Sequence, residues 1–330
     1  MLIIAHRGAS GDRPEHTLAA YELGIDQGAD YIEPDLVPTA DGVLVARHEN
    51  EISGTTDVAE HPEYASRRTT KLIDGEEITG WFTEDFTLAE LRTLRARERL
   101  PEIRRQNTRY DGLYQVPTLA EIIQLVRAKE AETGREIGLY PEIKHPAYFA
   151  GIGHDLAAML AEQLHGAGYV GADAPVFIQS FEIAPLVRLN GMTDLRLVQL
   201  ISDEGGPADD TSLSYSDMTT PNGLEQIALY ADGIGVAIPL LLNASAQSTG
   251  LTEDAQRSGL AVHAWTGRKE NAFLPQQWWR PREPSDEGCD NRLYSALVRA
   301  GVDGVFSDDP GRALLFSNPE TTVTGYCAED

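Results

Sequence analysis

In the run Tyr31-Ile32-Glu33-Pro34-Asp35-Leu36, two carboxylates stand two residues apart inside an apolar segment. On a strand, residues i and i+2 face the same way. Glu33 and Asp35 then point together and repel, unless a cation lies between them or nearby arginines pair with them. A hard divalent ion prefers such oxygen ligands. A third carboxylate, Glu142, lies in the run GLYPEIK, so three carboxylates from two strands suffice for one Ca2+ or Mg2+ with positions left for water or substrate oxygens. Arg7 and Lys144 add positive charge beside the cluster, suited to an anionic group such as a phosphate. His6 and His48 are two imidazoles that can serve as general base and general acid. The set predicts phosphoester cleavage. Metal and cations stabilise charge on the non-bridging oxygens, one histidine activates the nucleophile, and the other protonates the leaving alcohol. Gln179 and Trp265, near the ends of later apolar runs, are further candidates for substrate contact.

Each assignment has a structural rival. His6 could be a metal ligand, His48 an exposed turn residue, Lys144 a partner of Glu142 only, and Trp265 part of the core. His263 reads as structural, and His16, His61, His145, His154 and His165 receive no role.

The elements that must position these groups follow from the patterning. Leu2–Ala5 is a strand ending in His6, Arg7 and Gly8, and residues 17–27 form an amphipathic helix with Thr17 as N-cap. Tyr31–Leu36 is the second strand, and a right-handed βαβ unit sets it parallel to the first. Asp41-Gly42 is a tight-turn signal, so residues 36–48 make a short hairpin that carries His48 back over the strand ends. Residues 50–116 are polar and irregular and read as an inserted subdomain with one helix, Thr87–Arg99. Regular order resumes at Thr118, which forms a capping-box pattern with Glu121. Strands at 138–144, 175–180, 196–201, 233–238, 261–266 and 304–307 then alternate with helices, with 203–222 a long loop and 268–290 a second excursion. Eight strands alternating with helices predict an α/β fold, a (β/α)8 TIM barrel in one domain spanning 1–330. An open doubly wound sheet fits less well, since no G-x-G-x-x-G follows the first strand. Polar residues recur at the strand ends (His6, Glu33, Asp35, Glu142, Lys144, Gln179, Trp265, Asp308), and in a barrel these ends converge on one mouth.

Composition narrows the partners. The 330 residues carry a formal net charge of −25, which argues against nucleic-acid binding. No apolar run approaches the length of a membrane span, so no stable membrane insertion is expected. The chain opens directly on a strand without signal-peptide features, which as written implies the cytoplasm. Cys289 and Cys327 make no metal motif, and two free thiols is the simpler reading beside a disulfide. Oligomeric state is not encoded legibly.

The segments HRGA, PEHT, GADYIEPDL, DG and HE, followed in order by YPEIK, IQSFE and DGVFSDDP, resemble the glycerophosphodiester phosphodiesterase family over essentially the whole chain. The resemblance implies a TIM barrel with a small insertion after the second strand. It also implies metal ligands at Glu33, Asp35 and Glu142, catalytic histidines at His6 and His48, and phosphate contacts at Arg7 and Lys144. The implied reaction cleaves a glycerophosphodiester to sn-glycerol 3-phosphate and an alcohol. It proceeds either through attack of the glycerol 2-hydroxyl and a cyclic phosphate, or by direct attack of water. There are two departures: the family usually has Asn where His16 stands and often Asp where Glu49 stands. The long insertion and extended C-terminal region are similar to the larger bacterial branch, often periplasmic or secreted, which would place the protein there if a leader had been removed. The rival activities are a C- or D-type phospholipase, for which Trp278 and Trp279 would form the apolar rim, and a non-catalytic glycerophosphodiester-binding barrel.

Overall fold

The computed structural model describes residues 1–280, 283–317 and 327. Within it, the short apolar runs form eight parallel strands. They are β1 (Leu2–His6), β2 (Tyr31–Glu33 continued by Asp35–Pro38), β3 (Gly138–Leu139 continued by Glu142–Ile143) and β4 (Phe177–Ser180), then β5 (Arg196–Ile201), β6 (Gly233–Ala237), β7 (Ala261–Gly267) and β8 (Gly304–Ser307). Pro34 and Pro141 lack an N–H and divide β2 and β3, but the ladder runs on past the breaks: Glu142 N–H donates to the Pro34 carbonyl at 3.0 Å. Each strand pairs with the next, and β8 returns to β1 in the register Ala5 beside Ser307, so the sheet closes into a barrel. Register sets the mouth: His6 lies beside Glu33, Asp35 beside Glu142, and Glu142 beside Gln179.

A helix follows each strand. These are α1 (Leu18–Asp26), α2 (Leu119–Thr133), α3 (Leu156–Gly166) and α4 (Ile183–Asn190), then α5 (Pro221–Ile227), α6 (Leu251–Arg257), α7 (Asp290–Arg299) and α8 (Pro310–Ser317). Thr17 caps α1 through the Ala20 N–H, and Thr118 and Glu121 form the reciprocal capping box on α2. Strand alternation sorts the side chains. Ile3, Ala5, Ile32, Ile143 and Ile178 face the helices and join the main core. Ile4, Tyr31, Tyr140, Phe177, Val198 and Phe306 face inward and fill the barrel one layer below the mouth. Two residues further along the same strands stand His6, Glu33, Glu142, Gln179 and Asp308. A packed aromatic floor thus carries the polar layer. His263 belongs to that floor: it is buried, and its Nδ1 lies 2.7 Å from the Tyr140 hydroxyl.

The expected hairpin forms, with Asp35–Pro38 antiparallel to Leu44–Ala46. The helix expected over Thr87–Arg99 shrinks to Leu88–Leu91. Beyond it the backbone N–H groups pair elsewhere: Ala96 donates to the Tyr114 carbonyl and Arg97 to the Thr55 carbonyl. The long loop at 203–222 contains a helical turn, Tyr215–Met218, and α5 begins at Pro221, capped by Thr220. The residues after the hairpin also form a two-stranded ribbon, Thr69–Ile73 with Glu76–Gly80. Cys289 and Cys327, read as free thiols, are joined as a disulfide with a Cα–Cα separation of 5.7 Å. Trp278 is buried and Trp279 packs against the core.

Candidate active site

The first turn after β1 is built around Gly8. It has φ +82°, and a Cβ there would stand 2.5 Å from the Ala20 carbonyl carbon. This close approach lets α1 sit tightly against the loop and fixes Arg7, which itself adopts φ +60°. The Arg7 N–H donates to Glu33 Oε2 at 2.8 Å, and its guanidinium donates to Glu15 Oε2 at 3.1 Å and lies 3.5 Å from Asp35 Oδ2.

Glu33, Asp35 and Glu142 are all buried, and each places an oxygen within 4.8 Å of the others. Gln179 Nε2 donates to Glu33 Oε1 at 3.1 Å, so Gln179 orients a member of the cluster. Burial, reinforced by Asp35, pushes the Glu33 carboxyl well above the usual range. Burial also pushes Glu142 up to about 8. Asp35 goes the other way: burial opposes it, but His16, Arg7 and Lys144 hold it well below the usual range. Its Oδ1 is buried with no hydrogen-bond partner. Three convergent carboxylates with an orphaned buried oxygen fit a hard divalent cation.

The two candidate histidines are held alike. His6 Nδ1 lies 2.5 Å from Asp308 Oδ1, and His48 Nδ1 lies 2.7 Å from Glu49 Oε1. A carboxylate on Nδ1 takes the N–H there and leaves Nε2 as the working nitrogen. Burial, with Arg7 nearby, lowers His6 to about 4 and His48 to about 3, so both rings are neutral at neutral pH. His48 Nε2 faces Lys144 Nζ at 3.5 Å, and Lys144 also pairs with Glu142 Oε1 at 3.0 Å.

His6, Arg7, Glu33, His48, Glu142, Gln179 and Trp265 all line one cavity of about 100 Å3 at the barrel mouth. The cavity is flanked by two larger ones. One of about 670 Å3 shares Glu142 and Phe181 with it, and one of about 570 Å3 shares Trp265, Thr266 and Arg268. Trp265 is half-buried, donates its indole N–H to the Gly235 carbonyl at 3.0 Å and meets Phe181 edge-on. Lys144 lines the 670 Å3 cavity, and Asp35 sits behind the mouth.

Sequence reasoning missed the groups that hold this set in place. His16 is fully buried, with Nε2 at 2.9 Å from Asp35 Oδ2 and Nδ1 at 2.7 Å from the Tyr21 hydroxyl. Asp308 is bound by Arg104 as well as His6, and Arg268 donates to it at 2.9 Å. Although burial works against it, Arg104, Arg268 and His6 hold Asp308 well below the usual carboxylate range. Arg104 comes from the 50–116 excursion and also pairs with Glu270 at 2.6 Å, so that excursion braces the mouth. The visible signal for Asp308 was its place at the end of the last strand, and for His16 its departure from the expected Asn.

A closed barrel with carboxylates, two carboxylate-held imidazoles and cations at one mouth has the parts of a phosphodiester hydrolase. The chain belongs to the glycerophosphoryl diester phosphodiesterase family, whose model matches residues 6–312. It is 36% identical to glycerophosphodiester phosphodiesterase GDPD6 of Arabidopsis thaliana, covering 93% of this chain and 83% of that protein. It is 31% identical to the glycerophosphodiester phosphodiesterase of Haemophilus influenzae, covering 96% of this chain and 89% of that protein. Among solved structures, an Oleispira antarctica phosphodiesterase in complex with the product sn-glycerol-3-phosphate has the same fold, with a TM-score of 0.63, 21% identity and 96% of each chain covered. It is an enzyme of that family, built on a TIM barrel.

Proposed function

We propose that the enzyme hydrolyses glycerophosphodiesters to sn-glycerol 3-phosphate and an alcohol, with one divalent cation, Ca2+ or Mg2+, held by Glu33, Asp35 and Glu142. The carrying observation is the pairing of two imidazoles, each with Nδ1 on a carboxylate, at a mouth that also holds the three-carboxylate cluster. The cation supplies positive charge that stabilises the oxygens of the transferring phosphoryl group. The residues of this chain do the remainder. Arg7 and Lys144 add fixed positive charge where the phosphate sits. One of His6 and His48 takes the proton of the attacking hydroxyl at Nε2, and the other, protonated at Nε2 once the anionic phosphodiester binds beside it, delivers that proton to the departing alcohol oxygen. Asp308 and Glu49 stabilise each imidazolium as it forms. Gln179 holds Glu33, and Trp265 closes one wall. The product bound by the Oleispira antarctica relative supports sn-glycerol 3-phosphate as the product here. The phospholipase reading loses its apolar rim, because Trp278 is buried and Trp279 packs against the core.

The test is product identification with metal control. Enzyme stripped by chelation and given glycerophosphocholine should release no sn-glycerol 3-phosphate until Ca2+ or Mg2+ is restored. Full activity after exhaustive chelation, or release of phosphocholine instead, would overturn the reading.

A further inference from the structure

The cavity of about 670 Å3 shares Glu142 and Phe181 with the catalytic cavity and extends away from it under the loop after β5. Its ionic groups are mostly matched. His145 lies 2.5 Å from Asp74, and Lys144 lies 3.0 Å from Glu142. Glu182 is the exception. It lines the cavity and is 3% exposed, its Oε2 accepts from the Ala147 N–H at 3.0 Å, and its Oε1 is buried with no hydrogen-bond partner. No cationic side chain pairs with it among the described residues. A buried carboxylate oxygen left this way is costly unless a ligand supplies the missing positive charge. Beside it stand Phe181 and Tyr215, with ring centroids 6.1 Å apart, both lining the same cavity. Aromatic faces next to a carboxylate are the surroundings that favour an organic ammonium group. The cavity of about 570 Å3 on the other side is lined mainly by apolar groups such as Ile238, Leu242 and Phe273, and Arg268 stands where it meets the catalytic cavity. The cavity of about 670 Å3 sets Asp74, Glu142, Glu182 and Asp217 against Lys144 and His145, an acidic balance absent from the other cavity, where Asp203 faces Arg268 alone.

We propose that the Glu182 cavity receives the alcohol end of the diester and selects ammonium-bearing headgroups, with Glu182 as counter-charge and Phe181 and Tyr215 as the aromatic wall. This rests on the phosphodiesterase reading above and adds to it a preference among substrates. Phosphorus lies at the catalytic cavity and the leaving alcohol extends past Phe181. Burial, with Asp74 and Asp209 nearby, pushes the Glu182 carboxyl up to about 8 against an opposing pull from His145. An ammonium opposite Oε1 favours the charged form.

The experiment compares kcat/KM for glycerophosphocholine and glycerophosphoethanolamine with that for glycerophosphoglycerol, in the parent enzyme and in Glu182→Gln. The parent should prefer the two cationic headgroups by about tenfold or more, and the variant should bring the three within about threefold. A parent ratio near one overturns the proposal. So does a variant that slows all three diesters equally, which would make Glu182 an acceptor for the glycerol hydroxyls. The parent alone gives a second reading that needs no folded variant: tetramethylammonium should compete with glycerophosphocholine, and absence of competition contradicts the proposal. A folded parent that cleaves none of the diesters overturns the phosphodiesterase reading itself, and the headgroup proposal with it.

Discussion

His6 Nδ1 and Asp308 Oδ1 lie 2.5 Å apart although 302 residues separate them along the chain. Closure of the barrel makes the contact: β8 lies beside β1 with Ser307 level with Ala5, so the next residues along, Asp308 and His6, meet each other. Asp308 fixes which nitrogen of His6 carries the proton and stabilises the imidazolium that forms during proton transfer. Asp308→Asn should lower kcat about 100- to 10,000-fold with a much smaller change in KM. The substitution also removes a carboxylate from Arg104 and Arg268, so a stability loss of about 3 kcal/mol accompanies it. Steady-state kinetics on variant shown to be folded by circular dichroism separates the two effects. Unchanged kcat would remove Asp308 from the account.

His16 bridges Asp35 Oδ2 and the Tyr21 hydroxyl, and so holds one member of the carboxylate cluster against α1. Groups behind a metal ligand commonly contribute a factor of about 10 to 100 in affinity. His16→Leu should therefore raise the metal concentration needed for half-maximal activity by about that factor, while kcat at saturating metal falls less. His16→Asn, a shorter residue that still hydrogen-bonds, should recover part of the loss. A metal titration in chelator-buffered solution reads both, and identical curves for parent and His16→Leu would contradict the role.

The barrel was legible because its strands are short apolar runs that end in polar residues and alternate with capped helices, as at Thr118 and Glu121. The carboxylate pair was legible because a spacing of two on a strand fixes a shared face. What was hidden is what depends on closure. Nothing near Asp308 in sequence shows that it meets His6. Nothing in the Arg-rich stretch after Leu91 shows that Arg104 crosses to Glu270 and Asp308, and the helical pattern there loses to cross-chain pairing with Thr55 and Tyr114. The disulfide stood only as the alternative to two free thiols, since spacing alone cannot say that Cys289 and Cys327 come together.

His263 sits in the floor of the barrel, 1% exposed, with Tyr140 on its Nδ1 and the rings of Tyr140 and Phe177 against it. Burial lowers it from 6.5 to about 4, with Asp303 raising and Arg196 lowering it further off. Between these values the unfolded chain binds a proton that the folded one does not, so stability falls with falling pH. The contribution is complete above pH 6.5 and gone below about 4, a change of about 3 kcal/mol. His263→Gln should flatten this part of the profile. Urea unfolding of parent and variant at pH 7 and pH 4.5 tests it, because other titrating groups cancel in the difference, and parallel losses in the two proteins would contradict it.

Arg47 is 1% exposed and donates to the carbonyls of Glu15 at 3.0 Å, His16 at 2.8 Å and Thr55 at 3.2 Å. It ties the loop after β1 to the chain that carries His48. Arg47→Met leaves the Glu15 and His16 carbonyls without a donor and should cost about 3 kcal/mol of stability. A thermal midpoint equal to that of the parent would show that the loop is held by other contacts.

The central claim is that two carboxylate-held histidines transfer the protons. The most direct measurement is single-turnover release of sn-glycerol 3-phosphate from glycerophosphocholine at saturating Ca2+ or Mg2+, for the parent, His6→Ala, His48→Ala and the double variant. Each single variant should lose at least about 100-fold, and the double variant should lose little more than the worse single one, because the two rings act in one step as a unit. A His48→Ala enzyme that is folded, metal-loaded and as fast as the parent would contradict the claim.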